Sequence, residues 1–266
     1  MMNWEKIYND AKLWVKEAGE RIRSSFQQTL TIRTKSNPND LVTDIDQEIE
    51  QFFINKIREV YPGHKIIGEE GYGDQLEQLE GIVWLIDPID GTMNFVHQQR
   101  NFAISLGIYE NGIGKIGIIY DIVHDEMYHT LRGTGAYLNN HPLPLLPERT
   151  VNESIIALNA IWVMENHRIN HQLLIPLARD ARGTRSYGSA ALELVYVATG
   201  RVDAYISMRL SPWDYAAGAL LIEELGGVVT NLRGKKLDFL SKDSLLAAKP
   251  GLHQVILKDY LNNGNW

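Results

Sequence analysis

Near the start of the chain, apolar residues recur at helical spacing: Trp4, Ile7, Tyr8, Ala11, Trp14, Val15, Ala18 and Ile22 would line one face of a helix. A second helix is expected after Thr43, a suitable N-cap, with Ile45, Ile49, Phe52, Phe53, Ile57 and Val60 on its apolar side and Tyr61-Pro62-Gly63 as its stop. Between the two, "TKSNPNDLVT" is polar, contains Pro38, and reads as a mobile loop. From Ile82 the pattern changes to strands. "GIVWLID" suits a buried strand, and "FAISLGIY", "GKIGIIYDI", "EMYHTL" and "GAYLNN" follow with turn residues between them, which predicts a largely antiparallel meander.

The second half mixes elements: an apolar run near Ile155, a helix from about Ser189 to Ala198, a strand "VDAYISM", and a further helix. That last helix has Ser211 as N-cap, Pro212 at its first position and Gly226-Gly227 at its end. "GVVT" and "SLLAAK" would complete a second sheet. The chain reads as sheets and helices in layers, with no internal repeat, low-complexity tract or linker. We treat residues 1–266 as one domain with halves near 1–145 and 146–266.

Composition narrows the classes. The 266 residues are 44% hydrophobic and 22% charged, as in an ordinary globular protein. No apolar run approaches the roughly 20 residues that span a bilayer, and the charged, amphipathic beginning does not resemble a secretory signal. The absence of cysteine excludes disulfides, thiolate metal sites and cysteine nucleophiles. Together these lead to the expectation of a cytoplasmic protein without membrane partners. The net charge of −7 argues against a nucleic-acid-binding surface, and suits an anionic substrate only if cations bind at an acidic site.

Three acidic clusters supply such a site. Glu69 and Glu70 follow a short apolar run in "IIGEEG"; Asp87 and Asp90 stand where the strand of "WLIDPIDGTMNF" ends; Asp214 is the third helical residue in "SPWDYAAG". Taken singly, each has an ordinary explanation: a solvated loop, a turn held by Asx hydrogen bonds, or an acid favourable to a helix dipole. Taken together, they match the needs of hard cations such as Mg²⁺, which take oxygen ligands and leave positions for water and phosphate. Pro88 biases Asp87 towards an extended backbone, so that Asp87, Asp90 and the Ile89 carbonyl could face one point, with Gly91 and Thr92 offering backbone N–H groups to an anion. The aspartyl-phosphate phosphatases space their aspartates two apart, which 90 − 87 = 3 does not match; "TDIDQE" has that spacing but opens a helix. EF-hand, HExxH and GxSxG patterns are absent, the eight histidines show no ligand spacing, and the glycines of "RGTRSYGSAAL" are a weak signal.

"GEEG", "WLIDPIDGTMNFVH" and "SPWDYAAGALLIEELGG", with "KSNPNDLVTDIDQEIE" and "RSYGSAALELVYVATGRVDAY", resemble the inositol monophosphatase family across almost the whole chain, and within it a bacterial, Bacillus-type member. The resemblance implies an α+β fold, a layered αβαβα sandwich of the inositol monophosphatase and fructose-1,6-bisphosphatase type, in a homodimer. It implies a lithium-sensitive phosphatase using two to three Mg²⁺ ions on small phosphorylated alcohols. Glu69, Asp87 and the Ile89 carbonyl would hold the first ion, Asp87, Asp90 and Asp214 the second, and Glu69 with water a third. Thr92 and Asp46 match the pair that orients and deprotonates the attacking water, and Glu70 a second acid acting through water. Lys35 matches a loop lysine near the metals. On the substrate side the matching positions are Ile89, Asp90, Gly91, Thr92, Gly188, Ser189, Ala190 and Asp214, with Arg185 close by or in a structural role.

One position departs from the pattern. Inositol-specific relatives carry a glutamate seven residues before the last metal aspartate; here that residue is Ser207, followed by Met208 and Arg209. The substitution weakens discrimination for a polyol and could favour a second anionic group. Sugar and glycerol phosphates, fructose 1,6-bisphosphate and the 2′-phosphate of NADP are therefore alternative substrates. A regulatory protein binding the transcription machinery is the alternative of a different class.

Overall fold

The computed structural model describes residues 2–26, 31–34 and 41–265. Helix α1 (Trp4–Ser25) and helix α2 (Asp44–Val60) carry the two apolar stripes expected of them, except that Val60, at the end of α2, is exposed; β1 (Ile32–Thr34) and β2 (Leu41–Thr43) pair between them as a short antiparallel ribbon. Part of the stretch expected to be loop is thus strand, too short for a periodic signal. Residues 35–40, including Lys35, lie outside the described residues.

The expected meander is the body of a seven-stranded sheet. It runs β3 (Lys65–Gly68), β4 (Ile82–Asp90), β5 (Ala103–Glu110), β6 (Ile113–Asp121), β7 (Glu126–Leu131), β8 (Ala136–Leu138) and β9 (His141–Pro142), with α3 (Thr92–Gln98) leaving the end of β4. Every pair is antiparallel except β3 with β4, which is parallel. In the sequence, Lys65–Gly68 shows only as an apolar run. As an edge strand it ends beside the end of β4, which brings Glu69 next to the aspartates.

The second sheet is built from β10 (Ile155–Leu158), β11 (Gly183–Arg185), β12 (Ala204–Leu210), β13 (Val228–Thr230) and β14 (Asp243–Ala248), in the order β11-β10-β12-β14-β13. Helix α4 (Leu174–Asp180) precedes β11, α5 (Ala190–Ala198) and α6 (Pro212–Glu224) flank β12, and α7 (Leu252–Val255) follows β14. One apolar core lies between α1, α2 and the first sheet; a second surrounds α5 and α6 between the sheets; a third lies under α4 and α7. The layers run αβαβα. Helix α6 is apolar all round, as a helix sandwiched between two sheets must be.

The height of α6 over the first sheet is set by glycines. A Cβ on Gly117 would stand 2.7 Å from the Ala217 carbonyl oxygen, and one on Gly107 would stand 2.8 Å from the Ala216 Cβ. The helix backbone therefore rests almost directly on β5 and β6, and Tyr109 Oη donates to Ala216 O at 2.9 Å. Gly117→Ala should force backbone apart and destabilise the fold by about 1–3 kcal/mol. Where a glycine can accept a methyl group, the same change stabilises by roughly 0.4–1 kcal/mol. Urea denaturation checks the sign; a gain in stability would contradict this packing.

Candidate metal centre

All nine residues of β4 are buried, including both of its aspartates. On a regular strand, side chains three apart point to opposite faces. Here the register with β5 slips between Asp87, which pairs with Ser105, and Asp90, which pairs with Ala103. Pro88 has no N–H to give the ladder, and an irregularity at this point re-aims the side chains beyond it. Asp87 Oδ1 accepts from the Ile89 N–H at 3.0 Å, which holds the kink. The result turns Asp87 and Asp90 towards one place, and the start of α6 brings Asp214 there. Carboxylate oxygens of the three lie within 4.8 Å of one another.

Each acid is held by its own local structure. Asp90 Oδ2 accepts from the Ser189 hydroxyl and, at 2.8 Å, from the Ala191 N–H at the start of α5. Asp214 is the third residue of α6, and its Oδ2 accepts the Ser211 N–H at 2.7 Å in a capping box. Asp46 has the same place in α2: its Oδ2 accepts from the Thr43 N–H at 2.9 Å and from the Thr43 hydroxyl. The Thr92 hydroxyl sits 3.1 Å from both Asp46 Oδ1 and the Ile89 carbonyl, linking α2 to the kinked strand. Glu69 donates its N–H to Ile86 O at 3.2 Å, and its carboxylate comes within hydrogen-bond reach of Asp87.

The remaining expected residues divide. Gly91 joins β4 to α3 at φ 92°, and a Cβ there would meet Asn101 O at 3.1 Å and the Ser189 Cβ at 3.2 Å. Gly188, also at positive φ, lies against Asn94, whose Nδ2 donates to Tyr187 O at 2.7 Å and to Asn101 O at 2.8 Å. The segment 188–190 thus adjoins Gly91 and Asp90. Glu70 occupies the turn after β3. Arg185 is not brought into the cluster: it is exposed on the edge strand β11 and donates from Nη1 to Thr184 O at 2.7 Å. Ser207 is buried on β12 within hydrogen-bond reach of Tyr205, and Arg209 is exposed.

Three buried polar residues carry no signal in the sequence. Glu193 of α5 accepts the Tyr187 and Gly188 N–H groups on Oε1, at 2.8 and 3.2 Å, and its Oε2 has no hydrogen-bond partner. Burial pushes its carboxyl up to about 7. Asn94 clamps the same segment from the other side. Glu50 lies under the Glu69–Glu70 turn. Nothing in local pattern distinguishes them; Glu50 and Asn94 have partners distant in sequence, and those of Glu193 lie in the loop before its own helix.

The electrostatics favour a cation. Burial raises the Asp87 carboxyl well above the usual carboxylate range, and the charges of Glu69, Asp90 and Asp214 raise it further. Asp214 is raised by burial and then by Asp90 and Glu69. Asp90, raised by burial, reaches only about 6, because Ser189 and the N–H groups at the start of α5 donate to it. Buried carboxylates this close repel one another unless positive charge lies between them. An all-oxygen donor set fits Mg²⁺.

A family model described as the inositol monophosphatase family matches residues 3–264. The chain belongs to the inositol monophosphatase family. The inositol-1-monophosphatase of Bacillus subtilis (strain 168) is 60% identical over 262 residues, covering 98% of this chain and 99% of that protein. Among solved structures, SaIMPase-II from Staphylococcus aureus bound to inositol monophosphate has a TM-score of 0.88 at 41% identity, covering 97% of this chain and 94% of that one. An IMPase/NADP phosphatase complexed with Mg²⁺ and phosphate has a TM-score of 0.88 at 29% identity, covering 96% and 95%. The layered fold is therefore the family's fold. No helix among the described residues is long and apolar enough to cross a membrane.

The raised carboxyl of Asp90 gives a prediction for the metal-free protein. An acid raised from 3.8 to about 6 favours the folded state below its unfolded value, and that contribution is lost as pH rises through 6. Mg²⁺ should restore stability where the acids are charged. At a hundredfold excess over its dissociation constant it should add about 2.7 kcal/mol, or roughly 5–10 °C in Tm, at pH 8, and less at pH 5. Thermal scans with and without Mg²⁺ check this. A shift independent of pH, or one that survives in Asp87→Asn, would count against the site.

Proposed function

We propose that this chain is a Mg²⁺-dependent phosphomonoesterase that hydrolyses inositol 1-phosphate and similar small phosphorylated alcohols to alcohol and inorganic phosphate. The observation that carries the reading is the convergence of Asp87, Asp90 and Asp214, with Glu69 alongside, next to the Thr92–Asp46 hydrogen bond. The name of the B. subtilis relative and the inositol monophosphate bound to SaIMPase-II support the substrate class.

In this reading Glu69, Asp87, Asp90, Asp214 and the Ile89 carbonyl hold two or three Mg²⁺ ions. Bound there, Mg²⁺ makes water more acidic and neutralises charge on the phosphate oxygens. Thr92 and Asp46 supply the proton path. With its own proton directed to Asp46 Oδ1, Thr92 Oγ1 offers a lone pair to a water in front of it, and the water's proton can pass along that bond to Asp46. Three donors hold Asp46 in place: the Thr43 N–H, the Thr43 hydroxyl and Thr92. The oxygen of that water attacks phosphorus, the ester P–O bond breaks, and the alcohol leaves with a proton from solvent. Gly91 and the segment from Gly188 to Ala190 wall the substrate side, and Glu70 acts through water. Arg185 is assigned no contact with substrate.

Ser207 favours a broader choice of alcohol. Its hydroxyl offers a weaker acceptor for polyol hydroxyls than a glutamate carboxylate. The NADP phosphatase relative makes a nucleotide 2′-phosphate a specific second candidate. Lithium sensitivity, a homodimer and a cytoplasmic location complete the proposal on the strength of the family resemblance.

Phosphate release should be measured with Mg²⁺ on inositol 1-phosphate, glycerol phosphate, fructose 1,6-bisphosphate and NADP, with and without lithium. We expect lithium-suppressed turnover that Asp87→Asn abolishes, and a loss of about 10²–10⁴ in kcat for Asp46→Asn. Turnover that survives Asp87→Asn would overturn the assignment.

A further inference from the structure

Helix α2 carries two fully buried acids on one side, Asp46 and, one turn later, Glu50. The first reaches Thr92; the second reaches the turn after β3. Glu50 Oε2 accepts the Glu70 N–H at 2.7 Å, and Oε1 accepts the Tyr72 N–H at 2.9 Å. The carboxylate also lies flat against Gly68, where an added Cβ would fall 2.4 Å from Glu50 Cδ. Glu69 is thus held between two backbone units that rest on the same carboxylate. Gly71, at φ 79°, lets the chain turn so that the N–H groups on either side of it converge.

A buried carboxylate is costly unless its oxygens are matched to donors, and a carboxylate that spans two N–H groups fixes their separation. A side chain used only to fill the core at this position would be apolar, like Ile49 and Phe53 beside it. We propose that Glu50 is a positioning residue for Glu69: it clamps the Gly68–Tyr72 turn so that the Glu69 carboxylate faces Asp87. Because Asp46 and Glu50 stand on one rigid helix, the same element sets both the proton acceptor and the turn that bears Glu69. The proposal rests on reading Glu69 as a metal ligand.

Glu50→Gln keeps size and one acceptor oxygen but replaces the other with a donor, so one of the two N–H groups loses its partner. Calorimetric titration of the metal-free protein with Mg²⁺ should show affinity weakened by about 10–100-fold, the range for residues that orient metal ligands. The Mg²⁺ concentration for half-maximal phosphate release should rise by the same factor, while kcat at saturating Mg²⁺ stays within about threefold. In the wild-type protein, the Glu70 and Tyr72 amides should exchange slowly with solvent deuterium although Tyr72 is exposed, and Glu50→Gln should release one of them. Unchanged Mg²⁺ affinity in Glu50→Gln, beside lost affinity in Asp87→Asn, would overturn the positioning role and leave the metal site standing. Unchanged affinity in both would remove the metal site itself. If Glu50→Gln does not fold, Gly68→Ala, which crowds the carboxylate, takes its place. Rapid exchange of both wild-type amides would refute the clamp without any variant.

Discussion

The arrangement depends on one constraint: carboxylates from three parts of the chain meet at a buried point where they repel one another. Asp87 and Asp90 come from the end of β4, Asp214 from the start of α6, and Glu69 from the turn after β3. No segment alone can assemble this set, so the parallel pairing of β3 with β4 and the close seat of α6 on β5 and β6 serve the site as much as the core. A divalent cation with oxygen ligands turns the mutual repulsion into shared attraction, and it makes an acidic chain able to take an anion.

The acids are held at helix beginnings. Asp46 and Asp214 each sit third in a helix and complete a capping box, and Asp90 accepts from the first turn of α5. Unpaired N–H groups and the positive end of the helix dipole favour negative charge there. The same donors hold the carboxylate rotamers, and the opposite oxygen of Asp46 accepts from Thr92. Beneath this layer, Glu50 and Glu193 accept backbone N–H groups from the two loops on either side. One of these turns carries Glu69, and the other leads to Ser189, which donates to Asp90.

Much of this was legible in the sequence. The stripes of α1 and α2, the meander from Ile82, and the Ser-Pro start and Gly-Gly end of α6 each carry a local signal strong enough to place an element. The motifs named Asp87, Asp90, Asp214, Glu69, Thr92 and Asp46 before their meeting could be seen. The short strands β2 and β3 were not legible, because β2 ends a polar stretch that reads as a loop and β3 shows only as a short apolar run. For the convergence, Pro88 was a signal but the register was not: a spacing of three predicts opposite faces on a regular strand, and the slip against β5 reverses it. Glu50 and Asn94 act through partners far along the chain, Glu193 through the loop just before its own helix, and in isolation each reads as an ordinary helix polar residue. Arg185 is exposed on β11, where its Nη1 donates to Thr184 O.

The most direct test of the central claim is to locate the cation. A crystal of the protein grown with Mn²⁺ in place of Mg²⁺ gives an anomalous signal that needs no assumption about mechanism. The account predicts ions bonded to oxygens of Asp87, Asp90, Asp214 and Glu69, with the Ile89 carbonyl among the ligands. Ions bound elsewhere, with these carboxylates protonated or paired to one another at neutral pH, would contradict it.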